Sequence, residues 1–193
     1  MKLPPTSHAA PPAAARGLCV WVLGAPGLGK STVAEALRQA FRAPIIELGD
    51  LRGMHLLDPA YGDANDAEAA LAFEHQLYLA RSYLAHGYPC VFATDLPQAE
   101  SARLPEVVAA GLPSRVLTLV VRDPEEHRRR VLGLAGPRDS GFVHVDWAAR
   151  WNADELARPP WPDEHRLDTT GQTPGETVAA ARAVVAAWLA AAV

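Results

Sequence analysis

Apolar and polar positions alternate between two spacings along the chain. Leu18-Cys19-Val20-Trp21-Val22-Leu23 is an unbroken apolar run rich in β-formers, which predicts a buried strand. From Ser31 to Phe41 the apolar residues Val33, Ala34, Leu37 and Phe41 recur on one helical face. Pro44-Ile45-Ile46-Glu47-Leu48 predicts a short second strand ending at Gly49-Asp50-Leu51-Arg52-Gly53, and residues 53–65, with Gly53, Pro59, Gly62 and Asp63, read as a loop. Asp63, Asn65 or Asp66 caps a helix over Ala67 to Ala85, whose Leu71, Phe73, Leu77, Tyr78, Tyr83 and Leu84 cover more than one face. His86-Gly87 closes it, and Pro89 to Asp95 is an apolar strand ending in an acid.

Residues 99–110 read as a helix, or as a helix broken near Pro105, followed by a buried strand over Val116 to Val121. Asp123-Pro124-Glu125-Glu126 then opens a helix, with an N-cap, proline at the first position and acids in the first turn. Gly133 to Val143 is rich in glycine and charge. Residues 146–157 predict a helix with Trp147, Trp151 and Leu156 on one face, ended by Pro159-Pro160-Trp161-Pro162. His165 to Thr169 is a weak last strand, and Pro174 to Ala192 an amphipathic helix carrying Val178, Val185, Trp188 and Leu189. Strands and helices so alternated predict a parallel sheet with helices on both faces. Ligands of such sheets bind beyond the carboxyl ends of the strands, which collects Gly24, Asp50, Asp95 and Arg122 at one edge.

The chemistry concentrates in Gly24-Ala25-Pro26-Gly27-Leu28-Gly29-Lys30-Ser31-Thr32, a full match to G-x-x-x-x-G-K-[ST] between a strand and a helix. Its glycines permit positive φ and leave room for a phosphate, and its N–H groups form a nest with the first helical turn. Lys30 adds a mobile charge, and the Ser31 hydroxyl suits Mg²⁺, which keeps most of its waters. A glycine-rich turn that binds nothing would match this pattern only by accident. Lys2 and Lys30 are the only lysines beside sixteen arginines, so Lys30 is not one surface charge among many.

At 193 residues, 49% hydrophobic and 21% charged, the chain suits one globular domain over 17–193, with the Pro- and Ala-rich residues 1–16 as a disordered leader. A net charge of −4 provides no general attraction to nucleic acid or anionic membranes. No apolar run approaches the roughly 18 residues of a membrane span. Cys19 and Cys90, both inside apolar runs, read as buried thiols of a reducing, cytoplasmic setting, with a disulfide open only if their strands are neighbours.

With these motifs in place, the chain resembles the small P-loop kinases of the AAA type, most nearly the gluconate and shikimate kinases, over residues 17–192. The resemblance implies a P-loop NTPase fold: three layers, α/β/α, a five-stranded parallel sheet and a helical lid at roughly 128–146. It implies that Asp50, in Asp50-Leu51-Arg52, contacts the acceptor hydroxyl, and that Asp95 is the acid of the third strand. It also implies that Arg128, Arg129, Arg130 and Arg138 belong to the lid, and that Asp168-Thr169-Thr170-Gly171 lies near the base of the nucleotide. The glycine triplet of shikimate kinases and a clear gluconate-kinase signature are both missing, so the acceptor is not carried over.

The expected activity is transfer of a phosphoryl group from ATP, or GTP, with Mg²⁺, to a hydroxyl of a small molecule: a sugar acid, a nucleoside-like compound or an antibiotic. Catalysis falls to Lys30, Asp50, Arg130 and Arg138. The nucleotide falls to Gly24 through Thr32 with Arg130 and Thr170, the metal to Ser31 and Asp95, and the acceptor to Asp50, Arg52, Arg81 and Asp95. Asp50 and Asp95 are interchangeable as the base. Glu74, Tyr78 and Arg81 share one helical face, either in the acceptor pocket or in solvent. His75, His127 and His144 read as structural or exposed, and Trp147, Trp151 and Trp161 as core, with Trp147 near the lid. The protein is expected as a monomer or homodimer. A polynucleotide 5′-hydroxyl kinase would need a basic channel that is not evident, and a regulatory ATPase would turn over ATP without an acceptor.

Overall fold

The computed structural model describes residues 17–54, 66–96, 111–133 and 144–192, with side chains except at 52–54 and 66–69. The expected leader, the helix at 99–110, the loop from 55 to 65, and Arg138 lie outside these residues. The elements are β1 (Leu18–Leu23), α1 (Lys30–Phe41), β2 (Ile45–Glu47), α2 (Leu48–Met54), α3 (Asp66–Ala85), β3 (Cys90–Thr94), β4 (Ser114–Val120), α4 (Pro124–Gly133), α5 (Val145–Ala157), β5 (Glu164–Asp168) and α6 (Pro174–Ala191).

The five strands form one parallel sheet in the order β2-β3-β1-β4-β5. β1 lies at its centre and is buried along its whole length, which is why its sequence is continuously apolar. Its side chains alternate between two cores. Cys19, Trp21 and Leu23 pack with Phe73, Leu77 and Leu84 of α3, and Trp21 meets Phe73 at 5.9 Å. Leu18, Val20 and Val22 pack with Val33 and Leu37 of α1 and with Ala181 and Val185 of α6. The result is the three-layer α/β/α arrangement, with the first turns of α1 and α4 at the carboxyl edge of the sheet.

The same alternation separates the cysteines. β1 and β3 are neighbours, but Cys90 pairs in register with Leu18, so the two thiols face opposite cores and both are free. Burial raises both thiol pKa values, that of Cys90 to about 11.

Three local expectations change. Residues 48–54 form a helix rather than a strand end and loop, because Leu48 and Leu51, three apart, both enter the core and seat α2 against α3. Asp50 therefore stands exposed in the first turn of a helix. In α5 the buried face is Ala148 and Asn152, not the tryptophan face; Trp147 is 39% exposed and rests edge-on against Trp151 at 4.9 Å. The Asn152 amide donates to the Val121 carbonyl at 2.7 Å and accepts from its N–H at 3.2 Å, which fastens α5 beyond the end of β4. β4 also starts earlier than its apolar run, at Ser114, whose hydroxyl is buried as the acceptor of Trp21 Nε1.

Candidate functional site: a phosphate loop, its brace and an adjoining cavity

The turn between β1 and α1 is built to leave amides open. Gly24, Gly27 and Gly29 have φ of 137°, 84° and 84°. Gly29 caps α1 without a side-chain hydrogen bond, and the first turn carries no acid, so no acid or cap among the described residues answers the N-terminal N–H groups and the positive end of the helix dipole. At Gly24 a Cβ would lie 2.5 Å from the Leu119 carbonyl oxygen, and at Gly27 it would lie 2.8 Å from Val131 Cγ2. Ser31 and Thr32 are exposed at the start of α1.

Lys30 reaches back over this turn. Its Nζ donates to the Ala25 carbonyl at 3.3 Å and lies 3.1 Å from Asp95 Oδ1, with only 11% of the side chain exposed. Asp95 follows β3 with φ 57°, a left-handed conformation rare for a non-glycine residue. Gln76, fully buried on α3, donates its amide to the Thr94 carbonyl at 2.9 Å and so holds the peptide just before that bend. Glu47, at the end of β2, joins the same electrostatic field. Burial raises its pKa, as do the carboxylates of Asp50, Asp95 and Glu35, with Lys30 opposing.

Helix α4 braces the turn from the other side. Asp123 caps it through the N–H groups of Glu125 and Glu126. One face then meets two loops. His127 Nε2 donates to the Pro26 carbonyl at 2.9 Å, and Val131 fills the space over Gly27. Arg130 donates to the Thr169 hydroxyl and carbonyl at 2.9 and 2.7 Å and pairs with Glu126, which also accepts from the Gly171 N–H. Burial lowers the His127 pKa, with Arg130 and Lys30 adding to the shift against the Pro26 hydrogen bond, so the ring sits neutral with its proton on Nε2.

A cavity of about 160 Å³ opens beside the turn. Leu23, Gly24, Asp95 and Leu96 form one side, and Trp151, Asp154, Glu155, Arg158 and Trp161 the other. Arg158 lies 3.4 Å over the Trp161 ring and donates to Glu155 and Glu164. A second, more open hollow is lined by Arg128, His144 and Trp147 with neighbouring residues of α5.

Of the expected site residues, Gly24 through Thr32 and Asp95 come together, and Asp50 stands one helical turn beyond Glu47. Arg130 reaches the loop after β5, where the Thr170 hydroxyl accepts from the Arg122 N–H at 2.8 Å and donates to Asp168. Arg81 does not line the cavity; it shares the exposed face of α3 with Glu74 and Tyr78. Arg52 lies in α2 without a described side chain, and Arg138 lies outside the described residues. Glu47, Gln76, Asp154 and Arg158 also stand at the candidate site and were not among the expected residues, while His127, read as structural or exposed, is a buried brace. Only Glu47, an acid at a strand end, carried a usable signal.

Comparison with known proteins agrees with this geometry. The model of the AAA domain family matches residues 19–150, the stretch that contains the turn, its lysine and the brace. The chain belongs to the AAA domain family. No curated protein matches the sequence significantly. Among solved structures this AAA domain is similar to a gluconokinase from Sinorhizobium meliloti 1021, at 21% identity over 91% of this chain and 95% of the other, with a TM-score of 0.58. It is also similar to the tunicamycin resistance protein of Deinococcus radiodurans, at 17% identity over 88% and 95%, with a TM-score of 0.63. A third is the Mycobacterium tuberculosis APS kinase, solved in complex with AMPPNP and APS, at 23% identity over 89% and 96%, with a TM-score of 0.59. The shared fold is that of the P-loop small-molecule kinases.

The residues of this AAA domain fit a nucleoside triphosphate. The uncapped start of α1, the left-handed glycines and Lys30 are a phosphate cradle that a Cβ at Gly24 or Gly27 would obstruct. They also suit Mg²⁺. No group of three or more metal-ligating acids, histidines or cysteines occurs among the described residues, and Mg²⁺ in such sites takes few protein ligands, a role the Ser31 hydroxyl and Asp95 could fill. No helix of the described residues is long and apolar enough to cross a membrane.

Proposed function

We propose that this AAA domain is a phosphotransferase that moves the terminal phosphoryl group of ATP to a hydroxyl of a small molecule, a sugar acid, nucleoside-like compound or antibiotic. The observation that carries this reading is the cavity beside Gly24: it adjoins the phosphate loop and shares Asp95 with the Lys30 ion pair. A nucleotide switch has no use for a second, aromatic-walled compartment there.

In this reading the amides of Gly27 to Ser31 and Lys30 hold the phosphates, and Ser31 with Asp95 holds Mg²⁺. The metal, when bound, supplies positive charge between the phosphate oxygens. Asp50, with Asp95 as its alternative, orients the acceptor hydroxyl and receives its proton. The acceptor oxygen forms the new bond to phosphorus, the bond to the bridging oxygen breaks, and the diphosphate leaves with that electron pair. Arg130 keeps the loop after β5 in place beside the nucleotide, and Arg138 adds positive charge from the lid. The protein works in the cytoplasm, as a monomer or homodimer.

The test is ATP consumption with Mg²⁺ against hydroxylated metabolites, nucleosides, antibiotics and 5′-hydroxyl oligonucleotides, with mass spectrometry of the products. An acceptor heavier by one phosphoryl group supports the reading. ATP hydrolysis indifferent to every acceptor defeats it.

A further inference from the structure

The cavity beside Gly24 is lined by charge of mostly one sign. Among the described residues, Asp95, Asp154 and Glu155 are its acids and Arg158 is its one base. Arg158 is already spent. It donates to Glu155 at 2.8 Å and through two nitrogens to Glu164 at 2.9 and 2.6 Å, with its plane against Trp161. The Glu164 side chain is wholly buried, and without Arg158 its carboxylate would keep only Arg166, at 3.5 Å, as counter-charge, so moving Arg158 to a ligand is costly. Lys30 faces Asp95 and the phosphate loop, Arg122 pairs with Asp168, and Arg130 pairs with Glu126 and the loop after β5. Among the described residues that line the cavity, none is therefore free to pair with a carboxylate or a phosphate on an acceptor.

The opposite holds for a cation. Asp154 is exposed on α5, and its carboxylate has no partner among the described residues. Trp151 and Trp161 supply the aromatic surface on which an ammonium or the apolar face of a polyhydroxyl ring rests well.

We propose that the acceptor is a hydroxyl compound bearing an ammonium group, such as an amino sugar or aminocyclitol, and not a sugar acid. This rests on the phosphotransferase reading for the reaction but not for the binding. The amine stays protonated; only the hydroxyl loses its proton as its oxygen takes the phosphoryl group.

The test is calorimetric titration of the full chain, with Mg²⁺ and a non-hydrolysable ATP analogue, using three matched sets: amino sugars and aminocyclitols, the corresponding neutral polyols, and the corresponding sugar acids. We expect an amine-bearing member to bind at least tenfold tighter than its neutral and acidic counterparts. Asp154→Lys should remove that preference while nucleotide affinity stays within twofold. Tighter binding of an acid or neutral counterpart, binding by no amine, or an unchanged preference in Asp154→Lys overturns the proposal. Amine binding without phosphate transfer from ATP overturns the phosphotransferase reading instead and leaves this one standing.

Discussion

His127 Nε2 donates to the carbonyl oxygen of Pro26 at 2.9 Å, joining α4 to the phosphate loop across 101 residues of sequence. The donor is the Nε2–H, and burial favours the neutral ring that carries its proton there. His127→Leu removes the donor and leaves the Pro26 carbonyl short of a partner, at about 1–3 kcal/mol. Nucleotide-analogue affinity should fall by roughly tenfold, a loss of about 1.4 kcal/mol, read by titration. The pH dependence has a definite sign. The native pKa lies below the unfolded value, so the unfolded chain binds the extra proton. The stability tied to a neutral His127 is present above the ordinary histidine range, near 6.5, and is lost as pH falls below it. The Tm difference between wild type and His127→Leu should shrink as pH is lowered from about 7.5 to 5.5. A difference independent of pH would show that His127 is not held neutral.

Gly27 has φ 84° and the backbone of Val131 directly over it, with N and Cα at 3.1 and 3.2 Å from the point a Cβ would occupy. Gly27→Ala should cost about 1–3 kcal/mol and weaken nucleotide binding. Trimming Val131 to Ala removes the Cγ2 clash at 2.8 Å but not the backbone contacts, so Gly27→Ala with Val131→Ala should recover little. Thermal denaturation of both variants checks this; full rescue would mean that the side chain alone sets the requirement.

Lys30 and Asp50 should separate binding from chemistry. Lys30→Ala should abolish phosphate transfer with little change in Tm, and Lys30→Arg should not restore it, since a planar fork cannot replace a point charge folded back over the loop. Asp50 is exposed, so Asp50→Asn should leave stability and the KM for ATP nearly unchanged while kcat drops strongly. Near-normal kcat in Asp50→Asn would move the base to Asp95.

Gln76 is a fully buried amide whose nitrogen holds the Thr94 carbonyl while its oxygen has no partner among the described residues. Gln76→Leu therefore trades one unsatisfied group for another, and Tm should move by only a few degrees. Asp95, one residue beyond and strained at φ 57°, loses its support. Transfer should fall by at least tenfold at unchanged fold, read as kcat beside a thermal melt. Equal losses in both would mark Gln76 as a core residue only.

The AAA domain family, the phosphate loop and the alternation of strands and helices were legible because each depends on neighbours in sequence. β1 is apolar throughout because both its faces are covered, and α6 announces its start through the Thr173–Glu176 capping box around Pro174. Helix α2 was not legible. Gly49 and Gly53 argue locally for a loop, and only the core that receives Leu48 and Leu51 outweighs them. Arg81 shows the reverse: its helical spacing with Glu74 and Tyr78 was real, but packing of the opposite face of α3 turned all three outward.

The sequence by itself determined the strand–loop–helix that cradles phosphate, the parallel sheet and the place of Asp95 at a strand end, since local backbone preference and apolar periodicity decide these. Tertiary structure alone decided that His127 and Val131 brace that loop, that Gln76 backs Asp95, and that Glu155 and Glu164 neutralise Arg158 in the cavity wall. A side chain's charge is written in the sequence, but whether that charge is available to a ligand depends on which partners the fold brings within hydrogen-bonding distance.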